Sequence, residues 1–329
     1  MPALRSLGID AGDLDTRQSL SADFLTHLAS RQTLRRLWLY GNISIVPSLS
    51  SGSSVSIFHT LEYLSLSTQN ETSIAEYTPL FRVGKFPSLQ KIIIRLIVDH
   101  IPGRPPSPTK LWRDFFKHLR SATTNSLSLM TLLITGSIAS HVSFEDIPDL
   151  QTFSLDVFRT NLFHSLSAAN VLTMFACWPG LTHLQISAVG PVAIGFSLLV
   201  DLATRFPLLV CLQIQINFQT FPGVDDVPVL EHGLHTLNLS TLHLKNHIAL
   251  ARCIDRAFPK IVVLSISGSA EFMKSGVGNE VQEIYKGLQS ARKDQKKRET
   301  VSIPGMSSVV YLHPPTAVII YTYIYHLAA

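Results

Sequence analysis

An apolar residue, a second three positions on and a third two positions later: this spacing recurs ten times along the 329-residue chain. The copies are Leu4-Leu7-Ile9, Leu34-Leu37-Leu39, Leu61-Leu64-Leu66, Leu89-Ile92-Ile94 and Leu129-Leu132-Ile134. They continue as Leu150-Phe153-Leu155, Leu181-Leu184-Ile186, Leu209-Leu212-Ile214, Leu234-Leu237-Leu239 and Ile261-Leu264-Ile266. Successive copies stand 30, 27, 28, 40, 21, 31, 28, 25 and 27 residues apart, (261 − 4)/9 or about 28.6 on average. Such a period confines the chain to stacked architectures, because one unit of this length cannot bury its own apolar face.

A second mark is phased with the first. Proline stands two positions before the first apolar residue in six copies, at Pro2, Pro87, Pro148, Pro179, Pro207 and Pro259. In four of these the residue before it is aromatic: Phe86, Trp178, Phe206 and Phe258. Proline cannot continue a helix and pushes its predecessor toward extended geometry, so it marks a helix-to-strand corner. The aromatic ring is expected to plug the core there.

Segments between copies carry helical spacing where they are long enough. Leu20, Phe24 and Leu28 form one apolar stripe, Leu111, Phe115 and Leu119 a second, and Ile248, Ala251, Ile254 and Phe258 a third. Strand, helix and corner in alternation predict parallel strands joined by right-handed crossovers. The predicted fold class is α/β, a leucine-rich-repeat solenoid of about ten irregular repeats, with a curved parallel sheet and with helices and loops on its convex side. The short step from Leu129 to Leu150 predicts a loop in place of a helix, and the long one carries the proline-rich insertion "DHIPGRPPSPTK". Ser107-Pro108 in that insertion matches a proline-directed phosphorylation pattern. Three divisions are expected: the solenoid over 1–272, a basic helical segment and C-terminal cap over 273–299, and an apolar tail, disordered or atypical, over 300–329.

Alternation along a strand sends the spaced apolar residues inward and their neighbours to the concave face. In the second to fourth repeats those neighbours combine aromatic rings with cations: Arg36, Trp38, Tyr40, Tyr63, Lys91 and Arg95. Trp, Tyr and Arg most often dominate interface energetics, so these six form the predicted partner-binding cluster. The sixth copy is read as presenting Thr152, Ser154 and Asp156, and the later repeats present small, uncharged side chains.

Other classes find little support. Charged residues make up 15% and hydrophobic ones 46%, which excludes a disordered chain. Residues 286–299 hold six Lys/Arg and two Asp/Glu, and removing them leaves 27 − 6 = 21 basic against 23 − 2 = 21 acidic residues. No basic stripe follows the body, so nucleic acid is not the expected partner. HExxH, G-x-S-x-G, P-loop and dinucleotide fingerprints are missing, so neither catalysis nor a cofactor is expected. His232 with His235, and His243 with His247, lack a third ligand in sequence, and Asp10, Asp13 and Asp15 match no calcium loop; no metal is expected at any of them. The three widely spaced cysteines and the N-terminus without a signal-peptide core point to a cytoplasmic or nuclear setting. The final apolar run, broken by Pro314 and Pro315, is too short for a membrane helix, so a membrane is not the expected partner.

The copies "FPSLQKIII", "WPGLTHLQI" and "FPKIVVLSI" resemble the irregular leucine-rich repeats of F-box proteins, and the resemblance covers residues 1–270. It implies a non-enzymatic module that selects a protein substrate on its concave face. In that family an F-box docks the Skp adaptor of a cullin-RING ubiquitin ligase. No F-box-like helical segment precedes the repeats in this sequence, so only the recognition half carries over, and Skp and cullin are expected only if an F-box is supplied upstream. A free-standing scaffold or inhibitor without a ubiquitin link is the alternative.

Overall fold

Ten strands, nine of them holding the last two residues of an apolar triplet, pair side by side in chain order in a computed structural model of the protein. The structure describes residues 4–11, 18–41, 43–46, 56–68, 74–96, 109–123, 131–136, 142–163, 165–187, 192–218, 222–241, 244, 246–268 and 270–301. Met1, Pro2, Asp13, Asp15, Ser107, Pro108, Leu129, His243 and the tail from residue 302 lie outside them. The chain divides into two units, Met1–Gln289 and Ser290–Ala329, and all ten strands belong to the first.

The strands are β1 (Ser6–Asp10), β2 (Arg36–Tyr40), β3 (Tyr63–Thr68), β4 (Lys91–Leu96) and β5 (Thr131–Gly136), then β6 (Val157–Thr160), β7 (His183–Ile186), β8 (Cys211–Gln215), β9 (Thr236–Thr241) and β10 (Val263–Gly268). All nine pairings are parallel. The register keeps equivalent positions in line: Leu7 faces Leu37, Leu37 faces Leu64, and Leu64 faces Ile92.

Helices α1 (Ala22–Ala29), α2 (Ile74–Val83), α3 (Thr109–Thr123), α4 (Ala168–Cys177), α5 (Ser197–Arg205) and α6 (His247–Ala257) share one continuous apolar core with the inner face of the sheet. Two of the predicted helical stripes are turned from their expected phase. In α1 Leu25 and Leu28 are buried while Phe24 is exposed, and in α6 Leu250, Ala251, Cys253 and Ile254 are buried while Ile248 is exposed. Aromatic rings of the second to fourth repeats form a spine in which Phe86 stacks on Phe58, Phe81 meets Phe86 and Phe115 edge-on, and Trp112 stacks on Phe116.

The proline corners are β-turns. The N–H of the first triplet residue donates back to the carbonyl three residues earlier, as in Leu89 to Phe86, Leu181 to Trp178, Leu209 to Phe206 and Ile261 to Phe258. Proline is thereby the second residue of the turn, where its fixed φ is already correct. Trp178, Phe206 and Phe258 leave the preceding helix at φ −124 to −136 and ψ 68 to 70, as residues before proline must. Phe86, Trp178 and Phe258 are fully buried; Phe206 is half-buried and stacks on Phe175 at 4.3 Å.

The sixth repeat corrects the sequence reading. Leu150-Phe153-Leu155 does not form a strand: residues Pro148–Thr152 make a 3-10 turn, and β6 begins at Val157. Phe158 and Thr160 face Leu132 and Ile134, so the triplet is Leu155-Phe158-Thr160. The steps on either side become 155 − 129 = 26 and 181 − 155 = 26 residues, replacing 21 and 31. Ile147-Pro148 does build the same turn, with Leu150 N–H donating to Ile147 O at 3.0 Å, but the chain adds another turn before entering the sheet. The 3-10 segments Phe144–Asp146 and Pro148–Thr152 stand between β5 and β6 in place of an α-helix.

At the far end α7 (Ala270–Ser275) and α8 (Val277–Val301) follow β10. Val281 and Tyr285 are buried in the core. Tyr285 donates its hydroxyl to Phe258 O at 2.8 Å, and Gln289 Nε2 lies 3.2 Å from Pro259 O and 2.9 Å from Ile261 O. The last proline corner thus has its carbonyls satisfied by this helix.

Candidate functional site

On the outer face of the sheet the register sets side chains in columns. One runs Ser6, Arg36, Tyr63, Lys91, Thr131, Val157, His183, Cys211, Thr236, Val263. The next runs Gly8, Trp38, Ser65, Ile93, Leu133, Arg159, Gln185, Gln213, Asn238, Ser265. A third opens with Asp10, Tyr40, Ser67, Arg95 and Thr135. Adjacent strands stand about 4.8 Å apart, close enough for large side chains on neighbouring strands to touch.

The six expected residues all lie on this face, on three adjoining strands. Arg36 and Arg95 are exposed; Trp38, Tyr40, Tyr63 and Lys91 are half-buried. Trp38 and Tyr63 are in contact, ring centroids 5.6 Å apart and tilted by 53°. Lys91 places its Nζ 5.7 Å from the centre of the Tyr63 ring, a cation–π contact that contributes about 0.5–1 kcal/mol at an exposed site. Ser65, in register between Trp38 and Ile93, is fully buried, and its small side chain leaves the indole room to lean toward Tyr63. The Ser65 Oγ has no hydrogen-bond partner among the described residues.

The face is fixed from behind. Tyr77 of α2 reaches the carbonyls that follow Tyr40 and end the outer row of β3, its hydroxyl 3.3 Å from Gly41 O and 2.9 Å from Ser67 O. Burial, with the neighbouring Glu76 carboxylate, pushes this phenol well above its ordinary range, so it acts only as a neutral donor. Gly41 sits at φ +90, and a Cβ there would lie 2.8 Å from the Ala11 Cβ, so the turn after Tyr40 requires glycine.

The register shift in the sixth repeat changes the site. Thr152 and Ser154 are exposed outside the sheet, and Asp156 precedes β6, where its carbonyl accepts from Thr182 and His183 N–H. Val157 and Arg159 take the face positions in their stead. Arg159 escaped the sequence reading because Thr160 fills a slot where leucine or isoleucine was sought; two equal steps of 26 residues were the signal that could have found it.

The histidines have structural partners. His232 is buried; its Nδ1 accepts from Leu234 N–H at 2.9 Å, so its Nε2 carries the proton and donates to Phe206 O at 2.9 Å. His235 is exposed, and His247 lies 3.4 Å from Glu280. Burial pulls His183 below the ordinary imidazole range, so it adds no charge to the face near neutral pH. Burial raises the Cys211 thiol against the opposing pull of Arg159, which makes it a poor nucleophile. Among the described residues no group of three or more His, Cys, Asp or Glu could hold a metal ion, and no helix is long and apolar enough to cross a membrane. No protein-family model and no curated protein matches the chain.

Proposed function

We propose that the chain is a leucine-rich-repeat solenoid acting as a non-enzymatic recognition module, its concave face being the outer face of the ten-stranded sheet. The observation that carries this reading is the clustering of Arg36, Trp38, Tyr40, Tyr63, Lys91 and Arg95 on three adjoining strands, with the Tyr63 ring already in contact with Trp38 and with Lys91. Rings held in place before a partner arrives lose little conformational freedom on binding. By resemblance the partner is the substrate of an F-box ubiquitin-ligase receptor, in a cytoplasmic or nuclear setting. A scaffold or inhibitor with no ubiquitin link is the second reading. It is favoured by the turn geometry, since the F-P-x-L pattern behind the resemblance has a folding role of its own.

Replacing Trp38 and Tyr40 together by alanine should weaken partner capture about tenfold or more while circular dichroism stays that of the parent. Affinity purification from native cells followed by mass spectrometry reads the outcome, and unchanged capture refutes the patch. Skp and cullin in the same eluate support the ligase reading; their absence beside a retained partner supports the scaffold.

A further inference from the structure

Among the described residues the outer face of the sheet gathers positive charge. Arg36, Lys91, Arg95 and Arg159 lie on β2, β4 and β6, whereas Asp10 at the β1 edge is the one acidic residue among the described outer-face positions. Several cations elsewhere have acidic neighbours, Arg35 with Glu62, Arg113 with Asp146, Arg120 with Asp149 and Arg256 with Asp225, while Arg82 and Lys85 hydrogen-bond His118 and Ser121. None of the four face cations forms an ion pair among the described residues.

Their placement follows from strand geometry. Lys91 and Arg95 bracket Ile93 on one strand and stand about 13 Å apart along it. Arg36 is two strands from Lys91 on one side, and Arg159 two strands from Ile93 on the other, each about 10 Å across the sheet. Between Ile93 and Arg159 sits half-buried Leu133, which with the nearly covered Ile93 makes a shallow apolar floor crossing the charged zone.

We infer that this face takes an acidic protein segment, one that lays an apolar side chain over Ile93 and Leu133 and sets carboxylates against Lys91, Arg95 and Arg159. The inference rests on the recognition reading above and specifies its partner's chemistry. A peptide fits better than a nucleic acid, because the face has an apolar floor and the body of the chain outside residues 286–299 has no net charge. Cations this far apart suit carboxylates spread along an extended strand, where side chains on one side recur about every 7 Å.

The test pans the full-length chain against a random peptide library and remakes the enriched sequences as fluorescein-labelled peptides for anisotropy titration. Enriched peptides should be acidic with at least one large apolar residue, and their binding should weaken as salt rises. Lys91→Gln with Arg95→Gln should weaken them by about threefold to twentyfold, up to fivefold for each exposed pair lost. The charge-preserving pair Lys91→Arg with Arg95→Lys should retain most of the binding. Neutral or basic enriched peptides, acidic peptides that bind the glutamine variant undiminished, or no enrichment at all would overturn the inference. So would a single-stranded oligonucleotide that binds the face more tightly than any enriched peptide. If neutral peptides still depend on Trp38 and Tyr40, the recognition reading stands and only the acidic partner falls; if they do not, both fall.

Discussion

Thr160 occupies a slot that the nine other strands fill with leucine or isoleucine, and it is just as buried. Its Oγ1 accepts from Leu162 N–H at 2.9 Å, so the hydroxyl satisfies a buried backbone donor where the chain leaves β6. Thr160→Val keeps the shape and removes that acceptor. It should destabilise the protein by about 1–3 kcal/mol, read as a lower urea midpoint with an unchanged slope. An unaltered midpoint would mean that the hydroxyl contributes nothing there. The same residue hid the sixth repeat from a search for apolar triplets, since Leu150-Phe153-Leu155 met the spacing and followed a proline. What separates the two triplets is pairing to β5, a long-range fact: a strand can meet the register of its neighbour only from Val157.

Among elements, the corners were the most legible, because proline's geometry is local. Five of the six phased prolines fall on described residues, and all five take the second place of a turn closed by one backbone hydrogen bond. The corner Arg31-Gln32-Thr33-Leu34 closes at 3.1 Å with no proline, so the bond forms without it, and proline acts chiefly by restricting the unfolded chain. Pro207→Ala should therefore cost only about 0.4–1 kcal/mol, measured by urea denaturation. A loss of several kcal/mol would point to packing of the ring instead. The helical stripe of α3 was legible in phase, with Phe115 and Leu119 buried, whereas those of α1 and α6 were legible in position only. Phe24 and Ile248 have helical spacing to their neighbours yet face outward, because Leu25 and Leu250 lie one or two positions on and fit the core better. An apolar stripe wider than one face leaves that choice to packing.

For the whole molecule, burial is uneven along the sheet. In β2 to β4 the inward leucines and isoleucines of the triplets are fully buried, whereas in the first copy Leu4 is 42% exposed and Leu7 and Ile9 are half-buried. Amide exchange should accordingly be fastest in β1 and slowest in β3 to β5. Peptide-resolved hydrogen exchange on the full chain tests this; uniform protection would show that the sheet opens as one unit. The sequence by itself determined the number of strands in the ten-stranded sheet, the inward residues of nine of them, the turns that precede them and the outward position of Arg36, Trp38, Tyr40, Tyr63, Lys91 and Arg95. Those features follow from a period of two along a strand and from proline's fixed φ, both of which act within a few residues. Only the tertiary structure decided that Arg159 joins that face, that Trp38 leans on Tyr63 over a buried serine, and which side of α1 and α6 meets the core. Such outcomes depend on the register of a neighbouring strand and on the volume beneath it, which residues distant in the chain supply.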